Sequence, residues 1–134
     1  HTRLYDGMAE VLDAFAARDI AWGIVTNKPG WLARPMLAQM TFHRDCAALV
    51  TGDCLPVRKP DPAPVLRACE LIGVDAAECV FVGDDLRDVQ AGRAAGVHTI
   101  AAAWGYLDGG DPRAWNADQV VEAPLGLLAA LGIA

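Results

Sequence analysis

The feature that most constrains this chain is a repeated pairing. Short apolar runs end abruptly in polar turns, and helix-length stretches follow them. Ala21-Trp22-Gly23-Ile24-Val25 carries no charge on either face and stops at Thr26-Asn27-Lys28-Pro29-Gly30. Ala48-Leu49-Val50-Thr51 runs into a loop from Gly52 to Pro60. Cys79-Val80-Phe81-Val82 stops at Gly83-Asp84-Asp85, and Val97 to Ala101 forms a fourth run. A strand without a polar face is covered on both sides, as in a parallel sheet flanked by helices. Strands alternating with helices at this spacing predict βαβ units and a mostly parallel α/β sheet.

The intervening segments supply the helices. Asp6 is placed to cap a helix whose apolar positions are Met8, Val11, Leu12 and Phe15, the three-and-four spacing of an amphipathic helix. A second helix is expected over 31–40, bent at Pro35. A third starts near Pro62, runs to Ile72 and stops at Gly73. A fourth covers Leu86 to Ala95 and stops at Gly96. A turn at Gly109-Gly110, a strand near Gln119-Val120-Val121 and a helix from Pro124 to Leu131 complete the chain.

Composition narrows the function classes. With 134 residues and 54% hydrophobic content, the chain suits one domain, residues 1–134, with one core. Eleven Lys and Arg stand against 17 Asp and Glu, a net charge of −6, with no basic stripe of the sort nucleic-acid binding requires. No apolar run reaches membrane-spanning length. The expectation is a small-molecule or protein partner, not nucleic acid or membrane. Cys46, Cys54, Cys69 and Cys79 lack the two-residue spacing of zinc or redox motifs, and read as small buried apolar residues in a reducing, cytoplasmic compartment.

In open α/β sheets, ligands bind at the carboxyl ends of strands. Three polar groups occupy those positions. Asp84, Asp85 and Asp88 form an acidic cluster, with Asp84 and Asp88 on one side of a helical turn. Oxygen donors of this kind suit magnesium, and Gly83 permits close backbone approach. Asp85 reads instead as a helix cap. Thr26 offers a hydroxyl and the turn after it backbone N–H groups, both suited to phosphate oxygens, although Thr-Asn after a strand is also ordinary turn chemistry. Lys59 before Pro60 is either a surface charge or a cation that offsets phosphate and an attacking carboxylate. Arg58 reads as surface and Trp22 as core. His43 and His98 are isolated, and no Ser/His/Asp or Cys/His arrangement stands out.

Taken in order, Val25-Thr26-Asn27-Lys28-Pro29, Lys59-Pro60-Asp61-Pro62, Phe81-Val82-Gly83-Asp84-Asp85-Leu86-Arg87-Asp88 and Ala91-Gly92-Arg93-Ala94-Ala95-Gly96 resemble the haloacid dehalogenase superfamily of phosphatases. The Asn-Lys-Pro turn, Trp104-Gly105-Tyr106 and Trp115-Asn116-Ala117-Asp118 resemble its phosphoglycolate phosphatase and N-acetylmuramate 6-phosphate phosphatase subgroup. The resemblance implies a Rossmann-like core and a small phosphorylated substrate. It implies Mg2+ as cofactor, held by Asp84. It places Thr26 and Asn27 on the phosphate and Lys59 on the transferring phosphoryl group as the catalytic residue. It has Asp88 orient the metal's waters or Lys59. The family's nucleophile is an aspartate that forms an aspartyl phosphate, and a second aspartate two residues on acts as general acid and base.

The family's Asp-x-Asp-Gly-Thr motif is absent, and no Asp-x-Asp occurs in these 134 residues. The resemblance therefore implies a partial core without the first, central strand and without the helical cap, and a chain inactive by itself. A non-catalytic phosphate- and magnesium-binding or interaction domain is the alternative. In family members the absent strand lies between the Thr26 strand and the Asp84 strand. Two apolar edges then face a gap, and such edges recruit other strands. The expectation is that the chain closes the gap by shifting strands, or pairs with another copy or with the absent segment.

Overall fold

The computed structural model describes residues 7–33, 46–104 and 110–133. Helix α1 (Met8–Ala17) leads into strand β1 (Trp22–Val25), and strand β2 (Cys46–Val50) follows. Helix α2 (Ala63–Ile72), strand β3 (Val80–Gly83), helix α3 (Leu86–Ala95) and strand β4 (His98–Ala102) form the middle of the chain. Strand β5 (Gln119–Val121) and helix α4 (Gly126–Ala130) end it.

Sequence and structure agree closely on the helices that lie within the described residues. Gly73 and Gly96 close α2 and α3 with φ of 84° and 80°, the left-handed conformation that glycine adopts without strain. Asp85 caps α3 by accepting the Arg87 N–H, as a capping carboxylate does. Helix α1 differs. Its N-cap is Gly7, with no side-chain cap bond, and Asp6 lies outside the described residues. Of the helix expected over 31–40, only 31–33 are described, so the bend at Pro35 lies outside the description, as do Gly105 and Tyr106. Single helical turns at Ala76–Glu78 and Pro112–Ala114 were not expected.

Among the described residues all strand pairs are parallel, and they fall into two sheets. One is β1–β2, with Val25 opposite Val50. The other is β3–β4–β5, with Val82 opposite Ile100 and Ala101 opposite Val120. Helices cover both faces. On one face Val11, Leu12 and Phe15 of α1 and Leu127 of α4 pack on Ile100 and Val121, with Trp22 and Val82 beside them. On the other, Val65 and Cys69 of α2 pack with Ala91 and Ala95 of α3, against Phe81 and Cys79. Val89 and Trp115 meet Ala101 on the same side. Alternate residues of β3, β4 and β5 thus serve opposite faces, as the pleat requires.

The expected closure by strand shift does not occur. β1 and β3 do not pair, and a cavity of about 790 Å³ separates them. Consecutive residues Trp22 to Val25 and Val80 to Gly83 line it, together with α1 and α2 side chains such as Leu12 and Val65. Lining by consecutive residues of a strand means that its edge faces the space, since successive side chains point to opposite faces. Shifting either strand would tear it from helices already packed on both faces, which explains why the slot stays open.

The cysteines also depart from expectation in part. None of the four forms a disulfide, but only Cys69 is buried; Cys54 is exposed. Burial and the neighbouring Cys69 push the Cys79 thiol up to about 11.

Candidate active site

The carboxyl ends of β1 and β3 flank one end of the slot, and the polar residues singled out in the sequence gather there. Lys59 is the centre. Its Nζ donates to the Val25 carbonyl at 3.0 Å and to Asp88 Oδ1 at 2.5 Å. It also stands 5.6 Å from the centre of the Phe81 ring. The Lys59 and Asp88 side chains are each only 10% exposed, so this pair is shielded from solvent screening. Asp88 Oδ2 accepts the Asp84 N–H at 3.1 Å. One chain of bonds therefore joins the end of β1 to the end of β3 across the mouth of the slot.

Local sequence builds this geometry. Gly83 is obligatory: a Cβ there would lie 2.2 Å from the Asp88 Cβ. Its absence lets the first turn of α3 fold back on the strand end. Gly52 plays the same part for the other loop, where a Cβ would lie 2.0 Å from the Asn27 carbonyl oxygen. The Gly52 N–H donates to the Lys28 carbonyl at 2.7 Å, tying the loop after β2 to the turn after β1.

Asn27 holds Lys59 in place. Its Nδ2 donates to the Lys59 carbonyl at 3.2 Å, and the Lys59 N–H donates to Asn27 Oδ1 at 3.1 Å. One donor and one acceptor position of the side-chain amide are thus used on the lysine's backbone. The Lys59-Pro60 peptide is cis. Thr26 Oγ1 accepts the Lys28 N–H at 3.2 Å, which orients its hydroxyl within the turn.

A second cavity, of about 280 Å³, opens outside this end. Thr26, Asn27, Lys59, Asp84 and Asp88 line it, so all five residues singled out in the sequence meet at one site. Lys28, Asp85 and Arg87 line it as well, and sequence reasoning gave Lys28 and Arg87 no separate role. The signal for Arg87 was available: it lies two residues after a capping aspartate, within reach of that carboxylate. Asp85 accepts from Arg87 Nε at 3.1 Å and Nη2 at 3.3 Å. The guanidinium, and then the Arg87 N–H, hold the Asp85 carboxyl below its usual value of 3.8. Asp85 in turn raises the Arg87 pKa.

Hard oxygen donors are what magnesium takes, and it commonly uses one or two protein carboxylates with waters and phosphate. Asp88 is committed to Lys59 and the Asp84 N–H, and Asp85 to Arg87 and the helix cap. No group of three His, Cys, Asp or Glu side chains able to hold a metal occurs among the described residues. The donors fit the ion in kind, and Asp84 lines the cavity at the strand end as a carboxylate that could serve as ligand. They are too few to close a site.

The sequence profile of the haloacid dehalogenase-like hydrolases matches residues 1–102. A phosphoglycolate phosphatase of Xanthomonas campestris pv. campestris is 49% identical over 123 residues, which cover 91% of this chain and 56% of that protein. An N-acetylmuramic acid 6-phosphate phosphatase of Pseudomonas putida is 43% identical over 95% of this chain and 57% of its own length. Among solved structures, a predicted phosphoglycolate phosphatase from Haemophilus somnus superposes with a TM-score of 0.89 at 28% identity, covering 96% of this chain and 57% of that one. A hydrolase from Pseudomonas syringae gives 0.81 at 29% identity, covering 95% and 58%. The chain spans a little over half the length of these relatives. Three polar strand ends, the Lys59–Asp88 pair that joins them and the profile match over most of the sequence lead to one assignment: this chain belongs to the haloacid dehalogenase-like hydrolase family.

Proposed function

We propose that residues 1–134 are one partial core of a magnesium-dependent phosphatase that hydrolyses a small phosphate monoester, phosphoglycolate or a sugar phosphate. The observation that carries this reading is the placement of Lys59. It is gripped by Val25 and Asp88 at the meeting point of two strand ends, beside Thr26 and Asp84. An ammonium group makes three donor bonds. Two go to protein, which leaves one for a phosphate oxygen.

In this reading Thr26 Oγ1 and the N–H groups of the turn after β1 bind the phosphate. Lys59 offsets charge as the phosphoryl group transfers. Asp88 keeps Lys59 aimed, and Asp84 would hold magnesium. That ion, when bound, would reduce the repulsion between an anionic nucleophile and an anionic phosphate. The nucleophile itself is an aspartate that forms an aspartyl phosphate, later hydrolysed by water. With no Asp-x-Asp in the sequence, the 134 residues are expected to be inactive alone. The strand bearing that aspartate would enter the slot between β1 and β3. Without such a strand the same residues are read as a phosphate- and magnesium-binding domain, the second reading.

The test is a phosphatase assay with Mg2+ on the chain alone and with an added peptide carrying an Asp-x-Asp-Gly-Thr strand. Turnover is expected only with the peptide. Turnover by the chain alone would refute its predicted inactivity, and no turnover in either case would leave the binding-domain reading in its place.

A further inference from the structure

The 280 Å³ cavity has two unlike ends. The inner end holds Thr26, Lys59, Asp84 and Asp88, with the Lys59 and Asp88 side chains nearly buried. The rim holds Lys28, an exposed residue, and Arg87, whose side chain is 59% exposed. If the inner end takes the phosphate, the alcohol part of the ester faces the rim. Rim cations do little for a neutral alcohol and much for an anion.

Arg87 is prepared for such a contact. Asp85 accepts from Nε and Nη2, and it also accepts the Arg87 backbone N–H at 2.8 Å. Both ends of the residue are thus fixed by one carboxylate. A guanidinium has five N–H donors in a planar fork. Nε and one N–H of Nη2 are used, so the edge carrying Nη1 stays available. Ordering a long side chain before the ligand arrives lowers the entropy cost of binding. Charge balance points the same way. Without Lys28 and Arg87, the lining would set Lys59 against Asp84, Asp85 and Asp88, a net repulsion toward any anion. With them it is neutral. The volume, roughly nine water molecules at about 30 Å³ each, suits a phosphate ester of a few carbons.

We infer that Arg87, assisted by Lys28, binds a carboxylate on the alcohol part of the substrate, so that the site selects short phosphate esters bearing a second anionic group. This rests on the phosphatase reading above and assigns a specificity-determining residue within it.

The experiment is a binding titration of the 134-residue chain in Mg2+ by NMR or calorimetry, using inorganic phosphate, 2-phosphoglycolate and ethyl phosphate. The last two are close in size and differ in the carboxylate. A charge-assisted fork is worth about tenfold in affinity. Phosphoglycolate should therefore bind about tenfold tighter than ethyl phosphate, and Arg87→Met should bring that ratio close to one. Arg87→Lys, which keeps charge and loses the fork, should restore part of it, and Lys28→Gln should lower it less than Arg87→Met does. Equal affinity for the two esters in the unmodified chain, or a ratio that survives Arg87→Met, would overturn the inference while leaving the phosphate site intact. Failure of inorganic phosphate to bind would overturn the phosphate site and the inference with it.

Discussion

The β4 and β1 strands read almost alike in sequence and differ in the fold. Ile100, Ala101 and Ala102 of β4 are at most 4% exposed. No residue of β1 is buried, although Trp22-Gly23-Ile24-Val25 is as apolar. The difference lies in the neighbours. β4 has a hydrogen-bonded strand on each side, whereas β1 has β2 on one side and the slot on the other. β3 shares the predicament, with only Gly83 buried at its inner end. The comparison teaches that apolar composition records the burial a strand is built for, and the partners present decide the burial it receives. Two strands built for full cover flank the same empty slot.

Substitutions in the two regions should therefore differ in cost. The largest effect is expected at Ile100, which is fully buried between α1, α4 and the sheet. Ile100→Ala should destabilise by about 4 kcal/mol in denaturant unfolding. The matching Ile24→Ala should cost less than about 1.5 kcal/mol, since part of its surface already faces the slot. Equal costs would break the comparison.

The Lys59–Asp88 pair is the bond across the slot, and it comes second. Asp88→Ala leaves an ammonium with little solvent and one carbonyl partner, at a cost of about 3 kcal/mol. Gly83→Ala should resemble it, because the added methyl collides with the Asp88 side chain. A Gly83→Ala variant that keeps both stability and phosphate affinity would contradict the assigned geometry.

A smaller, pH-dependent effect is expected at the far ends of β4 and β5. Asp118 Oδ2 accepts the Thr99 N–H at 2.7 Å and the Thr99 hydroxyl at 3.1 Å. These bonds, the backbone one foremost, hold its carboxyl below the usual 3.8. A depressed folded-state pKa stabilises the fold above the unfolded value and stops doing so as pH falls through the folded one. Asp118→Asn should cost less than about 1 kcal/mol at pH 7, because solvent screens a side chain that is 39% exposed, and the cost should fade once the pH drops below about 3.8. A cost that is the same at pH 7 and pH 2.5 would show that the charge contributes nothing.

Much of this arrangement was legible in the sequence. Gly73 and Gly96 marked helix ends because a left-handed cap favours glycine, and Asp85 marked a helix start because a carboxylate there accepts free N–H groups. The strand-end rule brought Thr26, Asn27, Lys59, Asp84 and Asp88 to one place, and they line one cavity. What stayed hidden depends on contacts between distant segments. Nothing local shows that the Asn27 amide grips the backbone of Lys59, or that Arg87 stands fixed on the rim. The open slot was foreseen as a problem of two unpaired edges, but closure by a strand shift proved wrong because helices on both faces hold the strands apart.

The most direct test of the account is amide hydrogen exchange, read residue by residue on dilute, monomeric chain. Parallel strands send successive N–H groups to alternate sides, so a strand paired on one side leaves every second amide without a ladder partner. Ile100 to Ala102 should exchange slowly throughout, while alternate amides of Trp22–Val25 and Val80–Gly83 exchange fast. The fast amides should become protected when a peptide carrying the Asp-x-Asp strand is added. Uniform protection of both edge strands in the monomer without peptide would contradict an open slot and the site built at its mouth.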